Sequence, residues 1–153
     1  MKRKVVVTGH GRSGTHWLAH VMGQFIDASH EPADYKEGGD VVVDCRLWRR
    51  IPELQREGYK LVHLIRDGRA VVRSTHAFYG GSYDFRHCCL EWRDAVNACR
   101  ELPTVRLKDL LAKQAPTQEY LIPHWKEWTP DMHGEFWSIC GEAMRRHGYE
   151  DDR

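Results

Sequence analysis

The sequence predicts a single α/β domain of three layers, with helices on both faces of a mostly parallel sheet of about four strands. Three observations point there. Short β-branched runs alternate with segments of helical period, which is the pattern of strands joined by helical crossovers. A glycine-rich turn stands between the first strand and the first helix. The length, 153 residues, suits one hydrophobic core rather than two.

Taken in order, Lys4 to Thr8 is a short valine-rich strand, followed by Gly9-His10-Gly11-Arg12-Ser13-Gly14. From Thr15 the apolar residues Trp17, Leu18, Val21, Met22, Phe25 and Ile26 fall on one helical stripe. Asp27 to Gly39 reads as a loop, Asp40 to Asp44 as a second strand, Leu47 to Arg56 as a weak helix and Tyr59 to Ile65 as a third strand. A helix follows Arg66-Asp67-Gly68 as far as Ser74, and Ala77 to Tyr83 is a glycine-rich aromatic loop. Asp84 to Leu102 carries Phe85, Cys88, Trp92, Ala95 and Cys99 at helical spacing and is closed by Pro103. Thr104 to Leu107 is a fourth strand and Lys108 to Gln114 a short helix. Ala115 to Met132 is a long loop, and Gly134 to His147 is the closing helix.

Lys and Arg number 23 against 22 Asp and Glu, so no global field draws nucleic acid or a membrane surface, and any anion site must be local. No stretch reaches the roughly 20 apolar residues that cross a bilayer. Five cysteines, an odd set without a CxxC pair, fit free thiols in a reducing compartment. A cytoplasmic location is therefore expected.

In such sheets ligands bind at the carboxyl ends of the strands. The turn from Gly9 to Thr15 fits an anion there, because a helix N-terminus leaves amides unpaired and adds partial positive charge. Ser13 and Thr15 add hydroxyls and Arg12 a full charge. A nucleotide triphosphate loop of the form Gly-xxxx-Gly-Lys-[Ser/Thr] is not met. Counted from Gly9, Thr15 stands in the place of the lysine and His16 in that of the metal-binding hydroxyl. His16 and His20 have i, i+4 spacing without the glutamate of HExxH, so no metal is expected; Cys140 with Arg146 has phosphatase-like spacing, but without the glycines that cradle an anion and inside an expected helix, so that match is accidental. Asp44 closes a valine run as an acidic residue closes a nucleotide kinase strand, which keeps a phosphotransferase as a remote alternative.

Gly11-Arg12-Ser13-Gly14-Thr15-His16-Trp17-Leu18 resembles the 5′-phosphosulfate loop of sulfotransferases that use 3′-phosphoadenosine 5′-phosphosulfate (PAPS), Pro-[Lys/Arg]-Ser-Gly-Thr-Thr-Trp-Leu, with Gly11 for the proline and His16 for the second threonine. Arg66-Asp67-Gly68-Arg69, with Ser74 eight residues after Arg66, resembles the segment by which that family holds the nucleotide 3′-phosphate. Val105-Arg106-Leu107-Lys108-Asp109-Leu110-Leu111 is similar to a third family segment. The resemblance implies a small sulfotransferase with a P-loop-like core. It implies PAPS as donor, adenosine 3′,5′-bisphosphate as product, and Gly11, Arg12, Ser13, Gly14, Thr15, His16, Trp17, Arg66 and Ser74 as the nucleotide site. Trp17 is the candidate to stack on the base, with a core tryptophan as the alternative.

Sulfuryl transfer requires donors on the departing phosphate oxygen, a role for Arg12 and the loop amides, and a base for the acceptor proton. The family takes that base from the stretch between the two motifs, where Glu31 is favoured and Asp44 and His30 stay open. A non-catalytic module that binds 3′,5′-bisphosphorylated nucleotides is the alternative function. Partners are the nucleotide and an unidentified acceptor, with His124, Trp125, Trp128, Phe78, Tyr79 and Tyr83 as aromatic candidates for its pocket. Oligomeric state is open.

Overall fold

The computed structural model describes residues 4–80, 82–112 and 124–151. Five strands form one sheet: β1 (Val5–Thr8), β2 (Ala28–His30), β3 (Val41–Val43), β4 (Lys60–Ile65) and β5 (Thr104–Arg106). Their order is β2-β3-β1-β4-β5, and every neighbouring pair is parallel. The helices are α1 (Thr15–Met22), α2 (Ile51–Arg56), α3 (Gly68–Phe78), α4 (Phe85–Ala98), α5 (Leu107–Leu111) and α6 (Pro130–Arg146), with 3₁₀ turns at Leu47–Arg50 and His124–Glu127.

Alternation along the strands divides the core into layers. Val7, Val41, Val43 and Leu64 point to the face covered by α1 and α5, where Ala19, Leu107 and Leu111 pack. Val6, Val42 and Leu61 point to the other face, against Leu47, Ile51, Leu54 and Cys99. Ile65, on that same side of β4, meets the cluster of α3, α4 and α6 built on Trp92, Phe136 and Met144. The central strands β1 and β3 are buried on both faces, as parallel crossovers require, while the edge strands β2 and β5 are half-buried.

The sheet has one strand more than the sequence suggests. Ala28–His30 lies inside the expected loop, since three residues with no β-branched member leave no periodic signal. Its pairing with β3 holds it in place. Helix α1 stops at Met22, with Gly23 bonded back to Ala19, so Phe25 and Ile26 leave the apolar stripe; Phe25 is 80% exposed. Helix α3 runs on to Phe78. Helix α4 ends at Ala98, before Pro103 can act, and α6 starts earlier than Gly134. There the Thr129 hydroxyl accepts from the Met132 amide and Pro130 occupies the first turn, a position proline tolerates. Half of the expected long loop, residues 115–123, lies outside the described residues, as do the last two residues of the expected helix before it. Among the described residues no helix is long and apolar enough to cross a membrane.

Candidate functional site

β1 and β4 are hydrogen-bonded neighbours, with Thr8 opposite His63, so the segments leaving their carboxyl ends emerge side by side. The two anion motifs are thereby brought together. Arg66 Nη1 donates to the carbonyl of Arg12 at 3.3 Å, and Arg12 Nε donates to Ser74 Oγ at 2.9 Å. All three line one cleft of about 1030 Å³ at the end of the sheet, with Gly11, Gly14, Thr15, His16 and Trp17.

The loop's shape is set by its backbone. Gly14 has φ +96°, a left-handed conformation in which a side chain is strained, and a Cβ there would stand 2.9 Å from the Leu107 side chain, so the turn that opens α1 favours glycine. A Cβ at Gly9 would meet the Leu64 carbonyl oxygen at 2.2 Å. Gly11 is different, with nothing nearer than Cys45 Sγ at 3.7 Å. Ser13 is buried below the cleft wall, and its amide is spent on the His10 carbonyl at 3.3 Å. Trp17 lines the cleft while packing against the core under α1.

In the second segment Asp67 caps α3 by accepting from the Arg69 amide, and it also pairs with the Arg69 guanidinium at 2.7 Å. Gly68 is dictated by packing rather than by a need for a loose turn, since a Cβ would fall 2.7 Å from the Trp92 ring. Arg73 joins Arg12 and Arg66 on the cleft wall, so the local positive charge is concentrated although the chain as a whole carries only +1.

The three candidate bases are placed differently. Glu31 and His30 line the cleft; Asp44 does not. Asp44 is 1% exposed, and its two oxygens accept from Arg46 Nε at 2.9 Å and Nη2 at 2.6 Å. Glu31 follows β2 directly, its amide still bonded to Val43 O at 3.1 Å. It has φ +44°, and Arg12 has φ +66°; among the described residues these are the non-glycine positions of positive φ. Such strain persists only where surrounding structure imposes it, and it gathers at functional sites. Cys45 Sγ donates to Glu31 Oε1 at 2.8 Å. Burial, then this hydrogen bond, pushes the Cys45 thiol up to about 12, so it stays protonated as a donor. His30 Nε2 stands 3.7 Å from the same carboxylate oxygen and 3.4 Å from Thr15 Oγ1, linking the carboxylate to the start of α1.

A polar group that sequence reasoning missed completes the cleft. His10 Nδ1 donates to Gly11 O at 2.6 Å, and its Nε2 is 3.4 Å from Glu91, which also pairs with Arg49. These contacts hold the Glu91 carboxyl down to about 2, with the His10 contact the largest cause. The partners lie 81 and 42 positions from Glu91, which no local pattern reveals. Phe78, Tyr79 and Trp125 line the cleft, whereas Trp128 packs into the core against Phe85 and Phe136. Among the described residues no group of three or more His, Cys, Asp or Glu is placed to hold a metal ion.

The fold is similar to that of mouse sulfotransferase SULT7A1 complexed with PAP. The likeness has a TM-score of 0.50 at 12% identity and covers 99% of this chain and 69% of that one. No family model matches the sequence, and no curated protein matches it. At that identity the likeness shows the fold alone: the chain has a sulfotransferase-like α/β fold.

Proposed function

We propose that this chain transfers a sulfuryl group from PAPS to a hydroxyl or amine acceptor, releasing adenosine 3′,5′-bisphosphate. The observation that carries the reading is the meeting of two cationic segments, far apart in sequence, in one cleft, with Arg66 bonded to the glycine turn and Ser74 to Arg12. Two anion subsites a short distance apart suit a nucleotide phosphorylated at both its 3′ and 5′ positions. Arg66 and Ser74 take the 3′-phosphate. The amides that open α1, with Thr15, take the 5′ end, where the helix dipole offsets negative charge. Arg12, with its backbone in the loop and its side chain on Ser74, stands between them and serves the departing phosphate oxygen.

Glu31 is the base. The acceptor O–H or N–H bond breaks as its heteroatom bonds to sulfur, the sulfur–phosphate oxygen bond breaks, and the proton passes to Glu31. Cys45 holds Oε1 of that carboxylate through a thiol that does not ionise near neutral pH.

Thermal shift tests the donor. Adenosine 3′,5′-bisphosphate is expected to raise Tm by several degrees and ATP with Mg²⁺ to leave it unchanged. A shift with ATP and Mg²⁺ alone favours the phosphotransferase. A shift with the bisphosphate but no transfer of labelled sulfate to any acceptor favours the binding module.

A further inference from the structure

The turn that carries Arg12 is held in its less favourable form. The Ser13 amide donates to His10 O at 3.3 Å, which closes a four-residue turn over residues 10–13. Its third residue, Arg12, has φ +66°, whereas Gly11 is not among the glycines of positive φ, and that combination makes a type II turn. Type II suits glycine at the third position. With arginine there, rotating the Gly11–Arg12 peptide by half a turn would bring φ into the relaxed negative range of type I. His10 opposes that rotation. Its Nδ1 lies 2.6 Å from Gly11 O, and because a carbonyl oxygen only accepts, Nδ1 is the donor. Nε2 of the same buried ring stands 3.4 Å from Glu91 Oε2, and Glu91 Oε1 accepts from Arg49 Nη2. The Arg49 guanidinium in turn lies over the Trp48 ring at 4.1 Å, so His10 is braced both from α4 and from the 3₁₀ turn at Leu47–Arg50.

The orientation matters because a trans peptide points its N–H opposite to its C=O. With Gly11 O turned onto His10, the Arg12 amide faces away from that ring, and it donates to no group among the described residues. In the rotated form the two exchange places, and a carbonyl oxygen would stand where the amide now does. We propose that His10 is a positioning residue for the 5′ end of the donor nucleotide: braced by Glu91 and Arg49, it fixes the Gly11–Arg12 peptide so that the Arg12 amide joins the amides that open α1 in binding the anion. The inference rests on the sulfuryl-transfer reading and deepens it at the 5′ subsite.

Two nucleotides and a pair of substitutions test it by calorimetry on the intact chain. Adenosine 3′,5′-bisphosphate fills both subsites, and adenosine 3′-monophosphate only that of Arg66 and Ser74. His10→Gln puts an amide near the place of Nε2 and leaves Gly11 O without its donor. It should weaken the bisphosphate about tenfold and leave the monophosphate within about twofold of wild type. His10→Asn, whose amide stands in for Nδ1, should keep the bisphosphate within about threefold. Where His10→Gln fails to fold, Glu91→Gln, which takes the charge out of the brace on a partly exposed side chain, should weaken the bisphosphate about fivefold with the monophosphate again unmoved. Equal losses for the two nucleotides overturn the proposal and leave His10 a structural residue only. So does a His10→Gln or Glu91→Gln chain with wild-type affinity for the bisphosphate, or a His10→Asn chain as weak as His10→Gln. A wild-type chain that binds neither nucleotide removes the sulfuryl-transfer reading itself, and this inference with it.

Discussion

The two segments that meet in the cleft are built by different means. Residues 9–17 set their turn by backbone: a glycine at φ +96°, a glycine against a neighbouring strand's carbonyl, and a strained Arg12. Residues 66–74 use regular backbone, a capped helix, and rely on side chains, Arg66 at the strand end and Ser74 two turns along α3. The contrast teaches that substitutions at the closed ends of the turn, Gly9 and Gly14, should act mainly on the fold, and those of the side chains Arg66 and Ser74 mainly on the ligand.

The largest expected effect is that of Gly9→Ala. A Cβ 2.2 Å from Leu64 O can be accommodated only by parting β1 from β4, so we expect a loss of about 3 kcal/mol or more, or no folded protein, by urea denaturation. A stability within about 0.5 kcal/mol of wild type would break the comparison. Next comes Arg66→Ala. It should lower affinity for adenosine 3′,5′-bisphosphate by about 30–100-fold in calorimetry, while Tm stays within a few degrees. A fold that collapses with ligand binding would show that the second segment is structural too.

The strand pair beneath both segments predicts an acid-sensitive fold. His63, opposite Thr8 in the register, is 1% exposed, and burial pushes its imidazole down to about 3, with the neighbouring His147 and Arg146 adding to the effect. An unfolded chain takes up that proton near pH 6.5. Between about 6.5 and 3 the unfolded state therefore binds more protons, and stability falls as the pH is lowered, by up to about 1.4 kcal/mol per unit. The lowered Glu91 carboxyl loses its contribution only below its unfolded value near pH 4.5, so unfolding measured from pH 7 to 5 reads the two histidines that burial lowers, His63 and His147. His63→Gln should flatten the slope in that range; an unchanged slope would assign it elsewhere. The smallest effect belongs to Gly11→Ala. With 3.7 Å of clearance to Cys45 Sγ, stability should move by less than about 0.5 kcal/mol. A large loss there would mean that the whole turn, not its two ends, is sterically closed.

How much of this is legible in the sequence differs between the parts. The valine runs and the stripe of α4 are local patterns, so the layers and the parallel sheet follow from them. The edge strand at Ala28–His30 does not, because its pairing partner rather than its composition makes it a strand. In the site, the Gly9–Gly14 spacing and the Arg66–Ser74 interval mark two anion segments, while the choice among Glu31, Asp44 and His30 stays open. Asp44 turns away because Arg46, two residues on, folds back over its carboxylate.

By itself, then, the order of residues determined the alternation of strands and helices and the two basic or glycine-rich ends that a phosphorylated ligand would seek. Hydrophobic period and turn chemistry act over a few residues, and each is complete within its own segment. Only the tertiary structure decided that β1 and β4 lie side by side, that Glu31 rather than Asp44 faces the cleft, and that His10, Arg49 and Glu91 meet. Those outcomes depend on which strands pair and on what remains buried and unpaired afterwards. Both are properties of contacts between residues tens of positions apart, and no local pattern records them.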